Sequence, residues 1–150
     1  MAEGVEINFW SAREEYGWLS NFWISEFKIG AYTYKSVEHY YQSEKANTMA
    51  LKTWISMAPS PFYAMRAGMS IRKQDMDRYW NDNKVDIMLK GIRAKFWQNE
   101  DLKKKLLATG NSPIHEAGDR DTFWGGRGRD MLGKLLVQVR EEIKRGEQIM

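Results

Sequence analysis

The segment SVEHYYQSEK, residues 36–45, concentrates side chains that can do acid–base chemistry. In a helix that begins near Ser36, four polar side chains share one stripe at i, i+3, i+4 and i+7: Glu38, Tyr41, Gln42 and Lys45. A carboxylate, a phenol, an amide and an ammonium can form one wall of an active site. They can equally form a solvated face with an incidental ion pair. Because exposed charged faces are the commoner case, the residues taken alone favour the solvated face.

A second set of reactive side chains lies in DTFWGGRGR, residues 121–129. Its glycines and arginines precede a helix predicted from Asp130, so the loop is able to present backbone N–H groups to an anion. The alternative is a plain glycine-rich turn. Asp121, three residues before Trp124, is compatible with a reactive carboxylate and equally with an Asx turn.

Trp80, in DRYWNDN, has two interpretations of similar weight: it covers the core face of the following helix, or it stacks on a flat ligand. A metal site is not indicated. His39 follows Glu38 directly, and neighbouring helical residues point about 100 degrees apart. The other histidine is His115, and there is no cysteine, so the sequence predicts neither a metal nor another cofactor.

The bulk composition predicts one folded domain, residues 1–150. Hydrophobic residues make up 43% and charged residues 29%, and the lack of cysteine excludes a disulfide framework and is compatible with a reducing cytoplasm. No apolar run approaches the roughly 20 residues of a membrane span, so no membrane association is expected. A net charge of +3 is small for a nucleic-acid binder but is compatible with a pocket for a phosphorylated ligand. Some of the seven Trp and seven Tyr are expected to line a concave site.

The hydrophobic pattern predicts an α+β, helix-rich domain with a small N-terminal antiparallel sheet packed by several helices. Alternation predicts a strand over 5–9, and FKIGAYTY, 27–34, predicts a hairpin that turns at Gly30 and Ala31. Helix starts are predicted at Ser36 and at Ser60-Pro61. Further helices are predicted over 84–97, 100–109 and 130–145.

The order and spacing of these motifs resemble the NADAR, or YbiA-like, family of N-glycosidases. The matching segments, which cover nearly the whole chain, are YGWLSNF (16–22), SVEHYYQSEK (36–45), AMRAG (64–68), Trp80 with NDNKVDIM (81–88), KFWQNEDLKKKLLATG (95–110), IHE (114–116), DTFWG (121–125) and LGKLLVQVR (132–140). The resemblance implies cleavage of the bond between a ribose C1′ and a base or amine nitrogen. Two substrates are implied: phosphoribosylamino pyrimidine intermediates of riboflavin synthesis, or ADP-ribosylated guanine in a nucleotide or nucleic acid.

The resemblance also implies the site residues. Glu38 and Asp121 are the expected catalytic carboxylates, with Trp80 and Trp124 stacking on the base and Asn21 and Lys45 in the pocket. Separately from the resemblance, the positive charges of Lys45, Arg66, Arg127 and Arg129 suit an anionic ligand, so these residues are expected to bind phosphate.

Two departures from the family pattern concern the substrate. The glycine loop WGGRGRDMLG is shorter than in many relatives and has Asp130 where they often have Asn, and Ala46 stands where they often have an aromatic residue. A binding module for ADP-ribose or NAD without turnover is the alternative of another class. Retention of both carboxylates argues against it.

Overall fold

The structure is a computed structural model that describes residues 5–118 and 121–149. The chain divides into two compact units, one formed by residues up to Ser20 together with those from Phe96 onward, the other by Asn21–Lys95. Whether residues 1–150 form a single domain stays a prediction. Within the described residues, no helix is long and apolar enough to cross a membrane.

The fold is α+β and rich in helix, as the sequence predicts. Its elements in chain order are β1 (Ile7–Phe9), β2 (Phe27–Ile29), β3 (Tyr32–Tyr34), α1 (Val37–Ser43), α2 (Met49–Ser56), α3 (Pro61–Ser70), α4 (Trp80–Gln98), α5 (Glu100–Ala108), β4 (Ile114–Glu116) and α6 (Met131–Lys144).

In the first unit, β1 pairs with β4 in parallel, with Ile7 opposite Ile114. Helix α6 packs against β4 and α5. Its predicted apolar stripe is buried throughout, at Leu132, Leu135, Leu136, Val139 and Ile143. The pairing of β1 was not foreseen, because a three-residue strand such as β4 has no periodicity to detect.

In the second unit, β2 and β3 form the predicted antiparallel hairpin, with Phe27 opposite Tyr34. Gly30 has a φ of +62°, a value that residues with a side chain rarely adopt, so the glycine permits the two-residue turn. The turn brings Phe27 and Tyr34 to within 5.9 Å between ring centroids. The hairpin leads directly into α1, which contacts β3, α2 and α3.

Local signals set most of the helix ends. The hydroxyl of Ser60 accepts the backbone N–H of Tyr63 at 3.2 Å, and Pro61 occupies the first turn of α3, as predicted. Gly110 and Gly146, with φ of +64° and +71°, follow α5 and α6. Helix α4 begins at Trp80, four residues before its predicted start.

The packing of α3 on α1 depends on Gly68. A Cβ built on this glycine would lie 2.8 Å from Cβ of Gln42 and against the end of that side chain, closer than real Cβ contacts come. The missing side chain therefore lets α3 approach α1 at Gln42.

We expect Gly68→Ala to destabilise the protein by about 1–3 kcal/mol through overpacking. An alanine inside a helix is otherwise favourable by about 1 kcal/mol relative to glycine, so the sign of the change is diagnostic. Urea unfolding measures it, with Ser70→Ala in the exposed last turn of α3 as the control. A Gly68→Ala variant more stable than the wild type would contradict the close approach.

Candidate active site

Helix α1 lies inside the second unit, and all seven of its residues are buried. Two contacts hold its first turn: Ser36 Oγ accepts the backbone N–H of His39 at 3.2 Å, and the carbonyl of Asn21 accepts the backbone N–H of Glu38 at 3.1 Å. Glu38, Tyr41 and Gln42 are exposed by only 7%, 7% and 5%. The solvated-face interpretation of this segment is therefore wrong.

The buried carboxyl of Glu38 is held by the next turn of its own helix. Gln42 Nε2 donates a hydrogen bond to Glu38 Oε2 at 2.7 Å. Burial raises the pKa of Glu38 above the ordinary glutamate value, while the bond from Gln42 and the charge of Lys45 lower it without cancelling that rise. Glu38 therefore keeps its proton to a higher pH than an exposed glutamate, as a general acid must.

Lys45 lies over two aromatic rings beside Glu38. Its ammonium is 5.8 Å from the ring centroid of Tyr41 and 5.9 Å from that of Trp80. Burial lowers the pKa of Lys45, the charge of Glu38 opposes this, and the charge of Lys84 adds to it. The pKa shifts of Glu38 and Lys45 both favour the neutral forms, so burial outweighs the attraction between the two groups.

Trp80 packs on the interior side of this cluster. Its ring lies 4.9 Å from that of Tyr41 at an interplanar angle of 59°, and the residue is only 7% exposed. The structure thus supports the packing role that was one of its two interpretations. Stacking of a ligand on Trp80 stays a prediction.

Asn21 is close to Glu38 through its backbone, while its side-chain amide donates to Sδ of Met88 at 3.5 Å. Arg66 is not brought to this cluster. It is exposed, its guanidinium lies 5.8 Å from the Phe62 ring centroid, and it lines a cleft of about 600 Å³ between α2 and α3. The periodicity of α3 explains this, since Arg66 is two residues from Gly68 and so lies on the opposite face of the helix.

His39 supports the packing of α1. The ring is fully buried, Nε2 lies 2.9 Å from the carbonyl oxygen of Ala58 and therefore donates, and Nδ1 lies 2.8 Å from Ser36 Oγ. Burial lowers the pKa of His39, which favours this neutral ring. Among the described residues, no group of three His, Asp or Glu side chains could hold a metal ion.

In the first unit, Asp121 forms the Asx turn that the sequence left as an alternative. Its Oδ1 accepts the backbone N–H groups of Phe123 and Trp124 at 2.8 and 2.9 Å. The residue is exposed. Trp124 is half-buried, and its ring meets that of Phe123 edge to face at 4.8 Å. A reactive role for Asp121 stays a prediction, and the bonds to the turn define how to test it.

The glycine loop uses its backbone donors internally. The N–H groups of Gly125, Gly126, Gly128 and Asp130 bond to the carbonyls of Asp121, Glu116 and Gly125, and that of Arg129 to the carbonyl of Thr122. These groups face protein acceptors rather than an anion, so the structure favours the plain turn over an anion-binding loop. Arg129 is exposed, with its guanidinium 5.7 Å from the Phe123 ring centroid.

Three titratable side chains around this loop, His115, Glu116 and Asp130, were not among the predicted site residues. His115 Nδ1 lies 2.6 Å from Asp130 Oδ2, and Glu116 Oε1 accepts the backbone N–H of Gly118. Burial raises the pKa of Glu116, and the charges of Asp121 and Asp130 raise it further against the bond from Gly118. The sequence holds one signal for these residues, the polar pair His115 and Glu116 at the end of IHE. Only the pairing of β1 with β4 shows where the two residues lie.

Comparison with known proteins agrees with this architecture. A family model described as NADAR domain matches residues 8–144. The N-glycosidase YbiA of Escherichia coli is 35% identical over 141 residues, which cover 91% of this chain and 88% of the relative. A riboflavin biosynthesis protein of Vibrio vulnificus is 36% identical over 143 residues, which cover 92% of this chain and 38% of that protein.

The fold comparison leads to the same class. The NMR structure of the E. coli protein YbiA matches with a TM-score of 0.88 and 33% identity, covering 97% of this chain and 89% of that one. The class is therefore a helix-rich α+β domain of the YbiA type. The chain belongs to the NADAR family.

The raised pKa of Glu38 generates a prediction about stability. In the pH range between the ordinary glutamate pKa and the raised folded value, the folded state binds more protons than the unfolded state, so the free energy of unfolding falls as pH rises. Glu38→Gln removes this loss. We expect it to be more stable than the wild type near neutral pH and to differ less at about pH 4.

Urea unfolding between about pH 4 and 8 measures this difference. Glu15→Gln, at an exposed site, is the matched control and is expected to follow the wild type at every pH. A Glu38→Gln variant that loses the same stability at all pH values would show that the carboxyl is not held in the unfavourable charged form.

Proposed function

We propose that this chain hydrolyses the bond between a ribose C1′ and a nitrogen in a phosphoribosylamino pyrimidine, an intermediate of riboflavin synthesis. The chain is an N-glycosidase, a hydrolase that acts on N-glycosyl bonds. The relative named for riboflavin biosynthesis supports this substrate. A cytoplasmic location is part of the same proposal.

The observation that carries the mechanism is the buried carboxyl of Glu38 with its raised pKa. When the C1′–N bond breaks, its electron pair goes to the nitrogen, which must gain a proton to leave as a neutral base or amine. A carboxyl that keeps its proton toward neutral pH can supply it. We therefore assign the role of general acid to Glu38, with Gln42 orienting the carboxyl through Oε2.

The ribose ring gains positive charge as the bond breaks, and water then adds at C1′. A carboxylate near this carbon stabilises the charge or activates the water. Asp121 is our candidate for this second carboxylate. Trp80 and Trp124 are the proposed contacts of the base, Asn21 and Lys45 further members of the pocket, and Arg129 a proposed phosphate contact. Arg66 remains a candidate phosphate contact only for a part of the ligand that reaches the α2–α3 cleft.

Removal of ADP-ribose from modified guanine is the second candidate reaction. The observation that favours it is a cleft next to Trp80 whose lining includes Lys73 and Arg78, because two cations suit a ligand with two linked phosphates. Neither reaction requires a metal or another cofactor in this proposal.

We expect Glu38→Gln to slow turnover by about 100-fold or more, because the amide cannot donate a carboxyl proton. Mass spectrometry of products from both substrate types measures it: ribose 5-phosphate identifies the riboflavin intermediate, and free ADP-ribose identifies the modified guanine. Glu15→Gln, at an exposed site in the other unit, is the control and should stay within about twofold. Near-normal turnover of Glu38→Gln would refute the assignment.

Asp121 has to be tested with two substitutions, since its Oδ1 also holds a turn. Asparagine keeps the acceptor for the two backbone N–H groups but removes the charge, whereas alanine removes both. If Asp121 is the second carboxylate, Asn and Ala each slow turnover by about 100-fold, while the thermal midpoint of the Asn variant stays near that of the wild type. Normal turnover of Asp121→Asn would leave the residue with the turn alone.

A further inference from the structure

An open cleft of about 870 Å³ lies beside Trp80 in the second unit. Its walls come from the segment that follows α1 and from the segment that precedes α4. Their backbones pair: Ala46 and Met76 form an antiparallel bridge, and the N–H of Asp77 donates to the carbonyl of Lys45 at 2.7 Å. The two walls are thus fixed to each other by main-chain bonds, which set the shape of the cleft.

The side chain of Asn47 strengthens this arrangement. Its Nδ2 donates to the carbonyl of Gln74 at 2.8 Å, and its backbone N–H donates to the carbonyl of Asp75 at 2.9 Å. These bonds hold the short turn that begins at Lys73 against the end of α1. A lysine on a fixed turn loses less conformational freedom on binding a ligand than one on a free loop.

The charged residues that line the cleft are mostly cations. Lys73 and Arg78 are exposed there, and Lys52 also lines it, although Lys52 is 2.9 Å from Glu44 Oε2 and so partly neutralised. The acid of the lining is Asp77, whose Oδ1 accepts the backbone N–H of Tyr79 at 2.8 Å. The balance favours an anion, and Lys73 and Arg78 are the cations most open to it.

Two aromatic rings adjoin these cations. Tyr79 is 54% exposed, with the guanidinium of Arg78 5.2 Å from its ring centroid, and Trp80 connects the cleft to Tyr41 and Lys45. A guanidinium beside an aromatic ring can still use its N–H groups for a bidentate contact to phosphate. The volume of the cleft is also within the usual range for small-molecule binding sites, roughly 300–1,000 Å³.

From this geometry we propose that Lys73 and Arg78 form an anion subsite that binds the phosphate groups of the ligand, with the rest of the ligand directed along Trp80 toward Glu38. This extends the phosphate contacts to two residues that the sequence did not single out. The inference rests on the proposed function for the ribosyl nature of the ligand, but phosphate binding itself requires no turnover.

Binding of inorganic pyrophosphate, measured by isothermal titration calorimetry, tests the subsite directly. Lys73→Ala and Arg78→Ala should each weaken binding by about fivefold and the double variant by about 25-fold, because each loses one charge-assisted contact at an exposed site. Lys90→Ala, which removes an exposed charge from α4 outside the cleft, is the control and should bind as the wild type does.

Asp77→Asn provides an arm that damage to the fold cannot imitate. Asparagine keeps the acceptor for the N–H of Tyr79 and removes the negative charge, so pyrophosphate should bind about threefold more tightly. If neither the double variant nor Asp77→Asn changes the affinity, or if Lys90→Ala weakens it as much as the double variant, the subsite is overturned.

The kinetic arm separates this inference from the proposed reaction. With an active enzyme, the double variant should raise KM for a phosphorylated substrate with little change in kcat, and Arg78→Ala should affect ADP-ribosyl guanine more than a monophosphate. Weakened pyrophosphate binding in a protein that cleaves neither substrate would retain the subsite and reject the proposed function. An active enzyme with unchanged KM in the double variant would retain the function and reject the subsite.

Discussion

The packing of the second unit depends on the burial of α1, a helix of mostly polar residues. Glu38, His39 and Gln42 leave water together, so each needs a partner within the protein. Both nitrogens of His39 are bonded, and Gln42 Nε2 bonds to Glu38. Gln42 Oε1, however, has no hydrogen-bond partner although it is buried. Gly68 and Gly91 permit the close packing around the helix, since a Cβ on Gly91 would lie 2.9 Å from the Tyr40 ring. Glycines on the neighbouring helices thus let those helices pack closely against α1, although most of its side chains are polar.

This arrangement is unfavourable for stability and useful for chemistry. A helix selected for stability alone would place apolar side chains where Glu38 and Gln42 lie. Instead, the pKa values of Glu38 and Lys45 are both shifted toward the neutral forms, and the Lys45 ammonium lies 5.8 Å from the Tyr41 ring centroid and 5.9 Å from that of Trp80. Protein sites that depart from the rules of packing in this way are commonly functional, because the altered proton affinity is what the reaction uses.

Local features of the fold could be predicted from the sequence, and non-local ones could not. Ser36, Ser60 and Gly30 act through bonds or dihedral angles within a few residues, so their roles at helix starts and at the hairpin turn follow from chemistry alone. The β1–β4 pair joins residues more than a hundred positions apart through three residues each, which no periodicity records. The burial of α1 is also a non-local property, because the local pattern of polar residues in this helix matches an exposed face. The sequence placed Arg66 in a motif. The face of α3 on which it lies became known only from the packing of Gly68 against α1.

Two parts of the chain were considered for binding an anion, and they would use different groups. The start of α6 would use backbone N–H groups, whereas the cleft beside Trp80 would use side-chain cations. At the start of α6, backbone N–H groups are the expected donors, but the glycine loop has already bonded them, and Asp130, Glu116 and Asp121 bring three carboxyl groups to the same region. Asp130 adopts a left-handed φ of +54°, which Asp tolerates better than most residues with a side chain. The Asp130 carboxyl lies 2.6 Å from His115 Nδ1, and a negative charge there would repel a phosphate, so this residue disfavours an anion at the α6 terminus. Side-chain cations on fixed main chain, as in the cleft beside Trp80, then become the physically better site for phosphate.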